Sequence, residues 1–170
     1  MPSADPVPSV DLVPSVDPVP SADLVPSVDL VVGVGSARGD DAAALLVARR
    51  LVAAGVPARV VELTDPTDLL ESWLPGDRVV VVDAVRSGAA PGTVHVLDLT
   101  HRPLPTGTPA ASTHVLGLDV AIELARALGR LPRQLVLYGI EAAADPTTER
   151  PSSPVLAAVD TVTAALAAGR

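Results

Sequence analysis

Continuously apolar runs alternate with segments of helical periodicity along most of this chain, and this alternation limits the folds open to it. The run VVVV (79–82) within the third predicted strand is apolar without interruption, as a strand covered on both faces would be. Residues 40–54 carry apolar side chains at helical spacing and are followed by Gly55, a residue that commonly ends helices. The element order βαβαββαβα predicts an α/β protein: a three-layer sandwich on a mainly parallel five-stranded sheet, with helices on both faces.

The predicted strands and helices can be assigned along the chain from such runs and from the turn residues between them. Strands are predicted at 29–34, 58–63, 77–85, 93–99 and 134–140, and helices at 40–54, 66–74, 112–129 and 154–169. The loop RSGAAPG (86–92) before the fourth strand is short, which favours an antiparallel neighbour. In a fold of this class the functional site is expected at the carboxyl ends of the strands.

The N-terminal segment is a hexapeptide repeat, PSADPV, PSVDLV, PSVDPV, PSADLV and PSVDLV. Proline at every sixth position removes backbone donors and fixes extended angles, so neither a helix nor a central strand can propagate through the repeat. We therefore predict a disordered tail at 1–28 and an α/β domain at 29–170, and a partner-docking role for the tail stays open.

Composition excludes several classes of function. The chain has no cysteine, so a thiolate nucleophile, a disulfide framework and a Cys-type metal site are absent, and His and carboxylates are the only strong metal ligands. The formal net charge of −8 argues against nucleic acid as a partner. No apolar run is long enough to span a membrane, and the N-terminus lacks the pattern of a signal peptide, so a soluble, cytoplasmic protein is expected. We take the chain to be a monomer.

The candidate functional residues follow the predicted strands. Asp41 lies in the segment after the first strand, Asp83 near the end of the third, and Glu141 after the fifth, while His114 begins the helix after the fourth. Asp41, Asp83 and His114 would give a ligand set of two oxygens and one nitrogen. Such a set suits a divalent ion such as zinc or nickel.

Structural alternatives exist for several of these side chains. Asp40 and Asp41 lie where acids satisfy free N–H groups in the first turn of a helix. His114 would serve equally as a cap or a surface residue, and neither His95 nor His101 has a spatial argument for function. Asp83 is harder to explain structurally, because a carboxylate that follows VVVV would be buried and would need a partner.

The glycine loop GVGSARGDD (33–41) does not match a phosphate-binding loop. The third glycine of G-x-G-x-x-G would fall at Arg38, no G-K-[ST] follows, and the two acids would repel a pyrophosphate. Ser36 lies on the same turn, but no G-x-S-x-G motif surrounds it. Serine-triad chemistry is therefore not predicted.

Four motifs together resemble those of the hydrogenase maturation proteases, the endopeptidases that trim the C-terminal extension of nickel-iron hydrogenase large subunits. They are GVGS-ARGDD before an amphipathic helix, VVVVDAV followed by S-G-x-x-P-G-T-V, STHVLGL entering a helix, and LVLYGIE. The resemblance covers about 29–168. It implies the α/β sandwich fold, an endopeptidase activity and the hydrogenase large-subunit precursor as partner.

Carried over by position, the family's metal-binding residues fall on Asp41, Asp83 and His114, which would be both the metal-contacting and the catalytic residues. The resemblance further implies that the metal is nickel already inserted in the substrate, which other divalent ions could replace. The loop differs from the family pattern, with Ser36 in place of Asn, one residue fewer, and Asp in place of Glu. Two alternatives stay open: a non-catalytic module that binds an anion or nucleotide, and a family member that retains the fold without cleavage.

Overall fold

The fold is a five-stranded sheet with helices on both faces, as predicted. In the computed structural model the residues described are 27–102, 115–143 and 149–169. The strands are β1 Leu30–Val34, β2 Arg59–Leu63, β3 Arg78–Val85, β4 Val94–Asp98 and β5 Gln134–Glu141. The helices are α1 Ala43–Ala53, α2 Leu69–Ser72, α3 Val115–Ala127 and α4 Ser153–Ala168, with 3₁₀ turns at Gly39–Ala42 and Pro66–Asp68 before α1 and α2.

The strand order is β2-β1-β3-β5-β4, with β4 antiparallel to β5 and the other pairs parallel. The predicted antiparallel strand is therefore confirmed. The short connection between β3 and β4 predicted that these two strands would be neighbours. That prediction is wrong, because β5 lies between them. As a result β3 is central, with parallel partners on both sides.

The side chains of β3 alternate between two separate cores. Val80 and Val82 pack with residues of α1 and α4, whereas Val79 and Val81 pack with residues of α2 and α3. All four are fully buried. This explains the continuous apolar run, since a strand with a core on each face has no position where a polar side chain would meet water.

Two glycines bring α1 against β1. A Cβ on Gly33 would lie 2.6 Å from the carbonyl oxygen of Ala44, and one on Gly35 would lie 2.3 Å from that of Asp41. Both distances are shorter than real Cβ contacts, so any side chain there would push the helix away. The G-x-G pattern therefore serves the close packing of helix and strand.

The last repeat unit is part of the folded domain. Asp29 accepts hydrogen bonds from the backbone N–H and the Nε of Arg78, at 2.9 and 3.1 Å, and the carbonyl of Asp29 accepts from Arg59 N–H at 3.0 Å. Val28 packs against the core on the α1 side. The other four repeat units, and with them most of the predicted tail at 1–28, lie outside the described residues. No helix in the described part of the chain is both long enough and apolar enough to cross a membrane.

Candidate metal-contacting site

The carboxyl ends of β1, β3 and β5 meet at one edge of the sheet. Asp83 is paired with Val34 of β1 and with Gly139 of β5, so it lies at the centre of this edge. The 3₁₀ turn Gly39–Ala42 follows β1 at the same edge and carries Asp41. Parallel strands thus bring together residues that are far apart in sequence, as the fold class predicts.

Asp83 is a buried carboxylate with an incomplete set of partners. Its side chain is 0% exposed; Oδ1 accepts from the N–H of Ala84 at 2.8 Å, and Oδ2 has no hydrogen-bond partner among the described residues. The pKa of Asp83 is raised from 3.8 to about 8, mainly by burial and to a smaller degree by the negative charge of Asp41, while the hydrogen bond from Ala84 lowers it. An unpartnered buried oxygen in an acidic surrounding is a position where a cation would be stabilised.

Asp41 lies beside this position and is partly exposed. The backbone N–H of Ser36 donates to Oδ2 of Asp41 at 3.2 Å, so the loop after β1 contributes to the orientation of this carboxylate. The carbonyl of Asp41 lies against Gly35, which fixes the backbone of the turn. The structure therefore brings two of the three predicted residues, Asp41 and Asp83, to one edge close enough for their charges to interact.

Asp40 has a different role from its neighbour. Its Oδ2 accepts from the N–H of Ala143 at 2.8 Å, and its two oxygens accept from the N–H and Oγ of Ser152 at 2.6 and 3.1 Å. Its carboxylate is 7% exposed. The interpretation that Asp40 caps its own helix is wrong: it ties the ends of the β5–α4 connection to the turn after β1, and Ser152 is the residue that precedes α4.

His114, the third predicted ligand, lies outside the described residues. Within 27–102, 115–143 and 149–169, no group of three or more Asp, Glu or His side chains is arranged to hold a metal ion. The carboxylates of Asp41 and Asp83 nevertheless fit a divalent cation, since both are acidic and Oδ2 of Asp83 is buried without a hydrogen-bond partner in the described part of the chain. That His114 is the third ligand of a metal ion therefore stays a prediction.

Glu141, a weaker candidate in the sequence, forms a second polar cluster at this edge. It is 2% exposed, and its carboxylate accepts from the N–H and Oγ of Ser87 and from the N–H of Gly88, at 2.8, 2.8 and 2.9 Å. The Nε2 of His95 lies 3.1 Å from Oε2 of Glu141. Sequence reasoning had no argument for His95 or Ser87. The strand register brings His95 to this cluster, since His95 pairs with Gly139 and so shares a face of the sheet with Glu141.

A mainly parallel α/β sandwich with acids at the carboxyl edge of its central strands defines the class of this protein. The profile of the HycI family, described as hydrogenase maturation protease, matches residues 58–168. The chain belongs to the hydrogenase maturation protease family.

Solved structures of similar fold agree with this assignment. The hydrogenase maturating endopeptidase HybD from E. coli superposes with a TM-score of 0.65 at 28% identity, over 82% of this chain and 89% of that one. The [NiFe] hydrogenase maturation protease HycI from Thermococcus kodakarensis KOD1 gives a TM-score of 0.63 at 27% identity, over 87% of this chain and 96% of that one.

Curated relatives match over shorter segments. The hydrogenase expression/formation protein HupD of Rhizobium leguminosarum bv. viciae is 30% identical over 90 residues, which is 47% of this chain and 45% of the relative. HupD of Bradyrhizobium diazoefficiens is 37% identical over 65 residues, covering 38% of this chain and 34% of the relative. The chain therefore spans less than half the length of these two relatives.

Proposed function

We propose that this protein is an endopeptidase that removes the C-terminal extension of an immature nickel-iron hydrogenase large subunit after nickel insertion. The observation that carries the proposal is the buried Oδ2 of Asp83, which has no hydrogen-bond partner among the described residues and lies near the charge of Asp41, in a chain of the maturation protease family. The protein would act where hydrogenase precursors are made, which we place in the cytoplasm, and as a monomer.

In this proposal the nickel belongs to the substrate and serves as the recognition element. Without a cation, ionising Asp83 is unfavourable because the group is buried and faces Asp41. A nickel ion in the precursor would stabilise both carboxylates as anions, and neutral His114 would supply the nitrogen ligand. Precursor without nickel offers no such compensation, so it would bind less tightly. This difference is the physical basis for cleavage only after nickel insertion.

In this proposal a water molecule hydrolyses the peptide bond, because the chain has no cysteine and no G-x-S-x-G motif. The hydroxyl of Ser87 and the carboxylate of Glu141 face the same ring nitrogen of His95, so no catalytic triad supports Ser87 as a nucleophile. The role of Asp41 and Asp83 is to orient the precursor by its metal, so that the peptide bond to be cut lies at the same edge. Other divalent ions would substitute for nickel in binding to the protein alone.

The test is a trimming assay on nickel-loaded and nickel-free precursor, with the product resolved on a gel. We expect trimming only of the loaded precursor and its loss in Asp83→Asn. Asp160→Asn is the matched control, because Asp160 is an exposed acid on α4 that pairs with Arg50 away from the site. Trimming that ignores nickel, or that persists in Asp83→Asn, would contradict the recognition mechanism. Absence of trimming of either precursor would indicate a family member that retains the fold alone.

A further inference from the structure

The side chain of Glu141 uses both of its oxygens inside the protein. Oε1 accepts from the backbone N–H groups of Ser87 and Gly88 at 2.8 and 2.9 Å. Oε2 accepts from Ser87 Oγ at 2.8 Å and lies 3.1 Å from Nε2 of His95. A carboxylate with four such contacts is a strong structural acceptor, because its buried charge is shared among donors that have no other role here.

The cluster does not have the geometry of a catalytic triad. In a triad the carboxylate and the serine bond to different nitrogens of the imidazole ring. Here Ser87 Oγ and Glu141 Oε2 both face Nε2 of His95, at 3.4 and 3.1 Å, and the hydroxyl also contacts the carboxylate directly. The arrangement is therefore not that of an activated serine. Its contacts instead hold Ser87 and Gly88, which belong to the loop between β3 and β4.

The backbone of Glu141 holds the end of the same loop, 86–92. The N–H of Gly92 donates to the carbonyl of Glu141, and the N–H of Glu141 donates to the carbonyl of Thr93, both at 2.8 Å. At the start of the loop the N–H of Ala142, the next residue along the chain, donates to the carbonyl of Val85 at 2.9 Å. Glu141 thus fixes the end of the loop through its main chain and the middle through its side chain.

This loop lies next to the site described above. It begins directly after β3, the strand that carries Asp83, and leaves from the same edge of the sheet. Gly88 and Ala90 in the loop are exposed. The N–H of Gly88 is used by Glu141 and the carbonyl of Ala90 by Thr93, whereas the carbonyl of Gly88 and the N–H of Ala90 form no hydrogen bond among the described residues. Backbone groups presented in a fixed position beside a reactive centre are suited to an extended peptide, which pairs through its own main chain.

We propose that Glu141 is a positioning residue for the peptide substrate. By fixing loop 86–92 it forms one wall of the groove that receives the precursor segment beside Asp83. This inference rests on the proposed function and deepens it, because it assigns the binding of the peptide to a loop apart from the residues that contact the metal. Loss of the Glu141 side chain should therefore raise KM for the precursor, whereas loss of the Asp83 carboxylate should abolish the recognition of nickel.

The experiment compares three variants by precursor kinetics and by the exchange rates of the Ser87 and Gly88 amides. Glu141→Met removes every acceptor, and we expect amide exchange about tenfold faster and a KM about tenfold higher, with kcat within about twofold. Glu141→Gln keeps one oxygen for the two amides, and Ser87→Ala removes only the hydroxyl. Both should stay within about twofold of the wild type in KM and exchange.

Two further variants separate positioning from general stability. Leu51→Ala destabilises the core between α1 and α4, away from the loop, so it should lower the Tm and leave KM unchanged. Gly88→Ala strains the backbone of the loop, because Gly88 has a φ of 92°, which residues with a side chain rarely adopt. The strain is confined to the backbone, since a Cβ there would meet open space. It should raise KM as Glu141→Met does, and it serves if the methionine variant fails to fold.

An unchanged KM in Glu141→Met or Gly88→Ala, with faster amide exchange, would overturn the docking role of the loop. An equal rise of KM in Leu51→Ala would overturn it as well, since the cause would then be stability. If wild-type protein trims no precursor, the proposed function fails and the docking role fails with it. The exchange rates of Glu141→Met and Glu141→Gln would in that case still show whether Glu141 fixes loop 86–92. Failure of the proposed function can therefore be distinguished from failure of Glu141 to position the loop.

Discussion

The negative charge of Asp41 raises the pKa of Asp83, a fully buried carboxyl group at the end of the central strand. Burial is the larger cause, and together they bring the pKa to about 8. A carboxyl group in this state keeps its proton near neutral pH and releases it when a cation replaces it. The two acids therefore couple metal binding, protonation and stability in one place.

The stability of the metal-free protein should fall as pH rises because of Asp83. The folded state keeps a proton that the unfolded chain releases above the ordinary pKa of 3.8, so unfolding becomes more favourable between that value and about 8. The limiting slope for one group is about 1.4 kcal/mol per pH unit. Urea denaturation in EDTA at several pH values should show Asp83→Asn gaining stability over the wild type as pH rises. A constant difference between the two proteins would contradict the raised pKa.

Divalent cations should stabilise the protein through the same residue. A cation at about one hundred times its Kd adds about 2.7 kcal/mol to the free energy of unfolding. Nickel, cadmium or zinc should raise the Tm of the wild type and of Asp160→Asn, but not of Asp83→Asn. The affinity should weaken as pH falls below about 8, because the cation must displace the proton of Asp83, and more steeply below about pH 6.5, because His114 ligates only when neutral. A calorimetric titration without the steeper fall below about pH 6.5 would remove His114 from the site, and a profile that stays flat from about pH 5 to pH 8 would remove both residues.

A methyl group at Gly35 should destabilise the fold. The added Cβ of Gly35→Ala would lie 2.3 Å from the carbonyl oxygen of Asp41, so the turn before α1 must move. Overpacking of this kind costs about 1 to 3 kcal/mol. Gly76→Ala is the matched control, since a Cβ on Gly76 meets nothing within 4 Å, and chemical denaturation should show no comparable loss. Equal stability of the two variants would show that α1 can shift at no cost.

Loss of the Asp40 carboxylate should loosen the start of α4. Asp40→Ala leaves the N–H groups of Ala143 and Ser152 without their acceptor, which costs about 1 to 3 kcal/mol per buried group. Amide exchange should become faster at the first turn of α4 and remain unchanged in β3. Arg50 and Asp160 form an exposed ion pair on α1 and α4, so Asp160→Ala should change the free energy of unfolding by less than about 1 kcal/mol. Uniform loss of protection would argue against a local clamp.

The strands were predictable because each is a short apolar run bounded by turn residues, and β1 and β3 match their predicted limits within one residue. The place of β5 between β3 and β4 was not predictable from these runs. Sequence spacing reports the length of a connection, whereas strand order depends on pairing between residues far apart. Loop 86–92 connects β3 to β4 across the end of β5. A short connection therefore did not determine which strand lies next to β4.

The burial of Asp83 was predictable because this residue conflicts with its surroundings. Asp83 follows an apolar run, and the structure buries it with one oxygen that has no hydrogen-bond partner among the described residues. The separate roles of Asp40 and Asp41 were not accessible, because adjacent residues have the same local pattern and only tertiary contacts distinguish them. Glu141 and His95 meet through the antiparallel register of β4 and β5, which no local pattern specifies.

The near-contact between Gly35 and the carbonyl of Asp41 turns residues 36–40 into a spacer of set length. Because the backbone of Asp41 is fixed at one end of the spacer and β1 at the other, the direction of the carboxylate depends on the number of residues between them. One inserted residue would rotate the start of α1 by about 100° relative to the strand. Relatives with a longer loop must therefore reach the same edge with a different side-chain geometry, and the length of the acid and the length of the loop are expected to vary together.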